Sequence, residues 1–157
     1  MYELVPADFE VPAGLEHERF RLRMLTVDDV LKDFDAICDR VDHDGTPKPP
    51  FVPTVALNLV DLGWHEKEFE LRRSFAYTVV APDESEVIGC VYLYPSETHD
   101  ARVRLWVRRS AYEAGLDPVL ESAVREWVAT RWPFTRVTYE ERDRCAPHGR
   151  RAPRPAR

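Results

Sequence analysis

A few side chains in this sequence are of the types that move protons or hold ligands. His65 stands in Gly63-Trp64-His65-Glu66-Lys67-Glu68-Phe69, a helical stretch, and an imidazole changes charge near neutral pH without help from its surroundings. It is a candidate general base, whereas a lone helical histidine is otherwise a surface or hydrogen-bonded residue. Tyr92 and Tyr94 share one face of a strand, Tyr77 lies on the neighbouring strand and Trp64 precedes His65. These aromatics are candidate pocket walls, and the alternative for rings at period two is core. Glu66, Glu68 and Glu70 scatter around a helix and no H-x-x-x-H or H-E-x-x-H occurs, so no metal is expected. His99-Asp100 is an acid–base pair or simply a turn. No G-x-S-x-G elbow, Walker loop or dinucleotide fingerprint occurs, which leaves hydrolase, nucleotidase and dehydrogenase readings without a motif.

The elements that must position these groups follow from apolar periodicity. Phe20, Leu22 and Met24 alternate with Arg19, Arg21 and Arg23 in a half-buried strand. Thr26, with Asp29 three residues on, opens a helix expected over 27–41. Four prolines and one glycine between 43 and 53 rule out its continuation and predict an extended loop. A second helix begins at Thr54, with Val55, Leu59, Leu62 and Phe69 as one apolar stripe, and ends near Arg72-Arg73. Strands are expected over 75–80 and 87–94, joined by a short polar turn, and a third carries Val103, Leu105 and Val107 alternating with Arg102, Arg104 and Arg108. Asp117-Pro118 reads as N-cap and first residue of a helix whose stripe Leu120, Val124, Trp127, Val128 stops before Trp132-Pro133. A short strand over 136–139 closes the pattern.

The chain has 157 residues, 44% hydrophobic and 32% charged, enough for one domain with its own core. Three domain segments are expected: an irregular lead-in over 1–17, a domain over 18–141, and a disordered Arg/Pro-rich tail over 142–157. That tail holds six arginines against one acid, so the body carries 16 basic and 27 acidic residues, a balance of −11. An acidic body repels phosphates and suits amine ligands, so nucleic acid is not an expected partner. No apolar run approaches the ~20 residues that span a bilayer, and the first 20 residues lack a basic-then-apolar leader. With three widely spaced cysteines, Cys38, Cys90 and Cys145, and no C-x-x-C pair, the reading is cytoplasmic.

The order β-α-α-β-β-β-α-β, opened by Gly14-Leu15-Glu16-His17-Glu18-Arg19-Phe20-Arg21-Leu22-Arg23-Met24-Leu25-Thr26, resembles the GNAT superfamily of N-acetyltransferases over about 15–139. The fold so implied is α/β, a central mixed, mostly antiparallel sheet flanked by helices. The resemblance also implies acetyl-CoA as co-substrate and a small amine as acceptor. The backbone of Trp106 and Val107 would take the pantetheine arm, and Tyr112 and Gly115, with Arg108 and Arg109 nearby, would face the diphosphate. Trp64, Tyr92 and Tyr94 would wall the acceptor site, with His65 as base.

The superfamily's R/Q-x-x-G-x-G/A loop is here Tyr112-Glu113-Ala114-Gly115-Leu116-Asp117, which keeps one of three defining positions. Such a loop needs small residues so that backbone N–H groups reach a diphosphate at a positive helix end. An Asp117 N-cap would hold those N–H groups itself, so CoA is expected to bind weakly, and Asp117→Gly to tighten it at a slight cost in helix stability. The helix that usually follows the fifth strand, with its tyrosine acid, is not seen; Tyr139 lies near the corresponding strand end and reads as a cross-strand aromatic. The face so left open predicts a homodimer. Two functions follow: an acyl-CoA-dependent N-acetyltransferase of a small amine, or a non-catalytic binding or interaction module on the same scaffold.

Overall fold

A computed structural model describes residues 2–143. Its strands are β1 (Gly14–Glu16), β2 (Arg21–Met24), β3 (Arg40–Val41), β4 (Phe75–Val80), β5 (Val87–Tyr94), β6 (Ala101–Arg108) and β7 (Val137–Tyr139). The helices are α1 (Val30–Ile37), α2 (Val55–Glu70), α3 (Arg109–Glu113) and α4 (Leu116–Arg131), and a 3₁₀ turn over Val27–Asp29 leads into α1. One seven-stranded sheet runs β1-β2-β4-β5-β6-β3, antiparallel throughout, and β7 joins β6 in parallel. This is the mixed, mostly antiparallel α/β architecture the sequence implies.

The central meander forms because β4 and β5 are rich in β-branched and aromatic residues, which fit a pleated, buried surface. Side-chain alternation splits the core in two. Tyr77, Val79, Val91, Leu93, Val103 and Val107 meet Leu120, Val124 and Trp127 of α4 on one face. Ala76, Cys90, Tyr92 and Trp106 meet α1 and Leu62 of α2 on the other. Trp106 therefore sits with the arginines of β6, opposite Val107. Tyr77, expected beside Tyr92, is on the α4 face instead: it pairs with Val91 while Ala76 pairs with Tyr92, and its hydroxyl donates to the Pro12 carbonyl at 2.6 Å.

Several boundaries differ from expectation. The first helix ends at Ile37, and Val41, expected at its end, belongs to β3, whose partner Val107 buries it. The Asp29 carboxylate accepts from the Thr26 amide at 3.0 Å, as a capping acid should. Thr54 caps α2 through the Leu57 amide, but the buried line of that helix is Asn58 and Leu62, and Val55, Leu59, Val60 and Trp64 are exposed. Apolar residues surround α2, so periodicity alone did not select a face. The lead-in is not wholly irregular: β1 pairs with β2, and Arg72 ties residues 3–9 down through Glu3 and the carbonyls of Pro6 and Phe9. Packing continues past 141, since Arg142 and Asp143 make ion pairs; the rest of the expected tail, with Cys145, lies outside the described residues. The sheet face toward α4 is covered by α4, Val5 and Trp132, and among the described residues most of the large exposed apolar side chains are on α2. No helix among the described residues is long and apolar enough to cross a membrane.

Candidate functional site

Residue pairing places the sequence candidates on one face of the sheet. Tyr92 lies opposite Arg104, Tyr94 opposite Arg102 and Cys90 opposite Trp106. Tyr92 and Tyr94 stack nearly parallel with centroids 5.6 Å apart, and α2 lays the His65 ring 5.2 Å from Tyr92. The Trp106 indole donates to the Tyr92 hydroxyl at 3.1 Å. Burial pushes the phenols of Tyr92 and Tyr94 up, the second to about 12, so both stay neutral walls with a polar tip.

Two cavities open along this aromatic floor. The outer one, about 380 Å³, is lined by Tyr94, Trp64, His65, Asp61, Glu68 and Arg73 among others. The inner one, about 190 Å³, is lined by Phe51, Asp61, His65, Tyr92, Tyr94 and Arg104. His65 Nε2 is 3.5 Å from Asp61 Oδ2, one helical turn back, an arrangement able to orient an imidazole and to meet a cationic amine. Trp64 is 65% exposed at the outer rim. His65, Trp64, Tyr92 and Tyr94 are thus brought together.

Sequence reasoning missed Asp61, Phe51, Arg40 and Arg104 here. Asp61 was legible as the i−4 partner of His65, but Phe51 arrives from the proline-rich loop and carried no signal. Asp33 was missed too. It is 3% exposed between α1 and α2, accepts a 2.9 Å bond from Asn58, and is pushed up to about 6 by burial, with Asp29 and Asp61 adding to the shift. It lines neither cavity.

The residues expected at the acetyl-CoA site are placed differently. The edge of β6 is taken at both ends, by β7 along Ala101–Val103 and by β3 at Val107 and Arg108. Beyond β3 the chain turns back, so that Lys48 N donates to the Arg40 carbonyl and Val41 bridges Pro47. Between β3 and β7 lies a cavity of about 190 Å³, at Arg104, Leu105 and Trp106, with Arg142 at its rim. Gly45 sits in the turn after β3 with φ +78°, and an added Cβ would come 2.5 Å from Tyr112 Cε1, so Tyr112 packs under this turn. Gly45→Ala is expected to destabilise by about 1 kcal/mol through left-handed strain and to speed amide exchange in β3 and at Val107. Unchanged exchange there would show that the turn does not hold β3 in place.

At the start of α4, Gly115 rather than Asp117 is the N-cap, with φ +77°. The Asp117 carboxylate holds no helix amide in the manner expected of a cap. It forms a buried two-bond pair with Arg142, at 2.8 and 2.9 Å, because the helix starts two residues early and turns Asp117 inward. Arg108 is held by Asp35, Asp39 and Glu86 and Arg109 by Asp39. The amides of Ala114 and Gly115 serve Ser110 and Tyr112, and Pro118 has none. A diphosphate would meet a carboxylate, committed arginines and few available donors, and a pantetheine arm would meet β3: the residues present do not fit acetyl-CoA.

The remaining candidates are structural. Asp100 accepts from the amides of Arg136 and Thr135, both at 2.8 Å, and these bonds hold it below the usual carboxylate range. Tyr139 is buried under the Arg125 guanidinium at 3.9 Å. Glu66 accepts from the Val27 amide, while Glu68 and Glu70 pair with Arg73 and Lys67. Asp42, His43 and Asp44 bring three ligand atoms within 4.8 Å, but Asp42 accepts from the amides of Asp44 and Thr46 and pairs with Lys48, as a turn requires.

No family model and no curated protein matches the chain in sequence. Solved structures do match in three dimensions. A Vibrio cholerae protein assigned as a ribosomal-protein-serine acetyltransferase aligns with TM-score 0.66 at 14% identity, over 87% of this chain and 75% of that one. A Bordetella pertussis protein assigned to the GNAT-family acetyltransferases aligns with TM-score 0.60 at 12% identity, over 82% and 77%. The ribosomal L7/L12 α-N-protein acetyltransferase RimL, solved with coenzyme A, aligns with TM-score 0.57 at 15% identity, over 82% and 72%. The chain has the fold of the GNAT acetyltransferases, in a divergent form.

Proposed function

We propose that this chain is a GNAT-fold module that binds a small amine in the aromatic-walled pocket beneath α2, with the acyl-CoA edge of the fold closed. The observation that carries this reading is the pairing of β3 with Val107 and Arg108, on the strand edge where the resemblance puts pantetheine. The ion pair of Asp117 with Arg142 at the α4 start supports it independently. Asp61 supplies negative charge to the pocket, where Glu68 is paired with Arg73, and Trp64 supplies an exposed ring face that attracts an ammonium group.

The second reading is an acyl-CoA-dependent N-acetyltransferase of the same amine, with His65 as base. It is favoured by the position of the His65–Asp61 pair on a cavity that shares Arg104 with the gap between β3 and β7, and by the acetyltransferase activities assigned to the structural neighbours. Thermal unfolding with acetyl-CoA separates the two. A ligand at 100 times its dissociation constant adds about 2.7 kcal/mol, which raises the melting temperature of a chain this size by roughly 5–11 °C. No shift at millimolar acetyl-CoA is expected. A shift of that size, with acetyl transfer to an amine lost in His65→Ala, would overturn the closed-edge reading in favour of the enzyme.

A further inference from the structure

Among the described residues, every half-buried arginine except two has a carboxylate oxygen within 4.0 Å. The exceptions are Arg40 and Arg104, and they are together. Both lie over the ring of Phe51, with guanidinium carbons 3.8 and 4.8 Å from its centroid. The bond from Arg40 Nε is to a neutral acceptor, the Pro49 carbonyl. Burial first, and then the charge of Arg104, hold Arg40 below the usual arginine range. Glu141 and Asp42 act on Arg40 without reaching it, and two adjoining cations with no carboxylate in contact are a cost that an anionic ligand would remove.

The inner cavity, lined by Arg104 and by Phe51, on whose ring Arg40 also lies, is dipolar. Arg104 lines the inner cavity and also the gap between β3 and β7, whereas Asp61 lines the inner cavity and the outer pocket. The positive group is therefore at the β6 end and the negative group at the α2 end, with Tyr92 and Tyr94 between them. A doubly cationic amine would suit Asp61 and be repelled at Arg104. A planar carboxylate suits a pair of guanidinium forks.

We infer that Arg104, with Arg40 beside it on Phe51, holds the carboxylate of a free α-amino acid whose ammonium group faces Asp61. This rests on the amine-pocket reading above and narrows it to zwitterions. The test is calorimetric binding of the proteinogenic amino acids, each beside its own amide and its decarboxylated amine, to the full chain and to Arg104→Gln and Arg104→Lys. At least one acid is expected to bind 10- to 100-fold more tightly than its amide. That preference should fall below threefold in Arg104→Gln and partly return in Arg104→Lys, with the melting temperature unchanged or raised, since a like-charge contact is relieved. Equal binding of acid, amide and amine throughout would overturn the carboxylate site and leave the amine pocket standing. No binding of any form would overturn both. Inorganic phosphate binding more tightly than acetate would reassign the arginine pair to a phosphate group and overturn the carboxylate assignment.

Discussion

Arg142→Met is expected to destabilise the protein by about 3–5 kcal/mol, the usual consequence of removing one partner from a buried ion pair. The side chains of Arg142 and Asp117 are only 6% and 7% exposed. The guanidinium spans both Asp117 oxygens, reaches Glu121 at 2.8 Å and donates to the Leu105 carbonyl at 3.4 Å. Burial alone would lower its pKa, and the bonds to Asp117 and Glu121 more than reverse that. Methionine matches the volume and leaves the Asp117 carboxylate buried without a cation. The melting temperature should fall by roughly 6–20 °C.

Asp117→Leu in the same background should recover most of the loss, because a well-packed apolar pair is often as stable as the ion pair it replaces. Urea unfolding of the single and double variants measures the coupling, and a single variant within about 1 kcal/mol of the parent would refute it. Asp117→Gly carries a matching cost. It removes the main partner of Arg142, so the slight penalty expected of a cap exchange becomes one of several kcal/mol.

Asp33→Asn should have the opposite sign. The folded-state pKa of Asp33 is raised from 3.8 to about 6, so between those values the native state binds more protons than the unfolded chain. Stability from this group therefore falls as pH rises through that window, and above pH 6 the ionised carboxylate costs about 3 kcal/mol. Asparagine never ionises and still offers an oxygen to Asn58. The variant should match the parent near pH 3.5 and exceed it by about 3 kcal/mol at pH 8. Taking the difference between the two proteins cancels the carboxylates with lowered values, such as Glu121 and Asp143, which lose stability as pH falls. A parent as stable as the variant at pH 8 would mean that Asp33 is hydrated in the folded state. Because Asp33 acts electrostatically on the α2 side chains Asp61 and His65, the same titration alters the field in the amine pocket.

The order of elements was legible because each carries local information. The Thr54 cap, the β-rich runs of β4 and β5, the alternation of β6 and the stripe of α4 ending before Trp132-Pro133 are set by neighbours a few residues apart, and all of them are in the structure. His65 next to Trp64, and Tyr92 in step with Tyr94, were likewise local, so half of the pocket could be named in advance. The divergence of the phosphate loop was visible as three letters, Tyr112, Gly115 and Asp117.

What closes that loop was not visible. Arg142 lies 25 residues from Asp117, and Arg40 reaches Val107 and Arg108 through β3, whose two residues are too few to show any period. The unpaired arginines have the same character: Arg40, Phe51 and Arg104 come from a short strand, a proline-rich loop and the far side of the meander. Whether a charge finds a partner depends on distances across the sheet, and nothing in a local window encodes them. The sequence by itself determined the scaffold and the aromatic floor, through propensity and periodicity. Only the tertiary structure decided which charges are neutralised and which edge is occupied, because those are long-range pairings in which burial sets the energy.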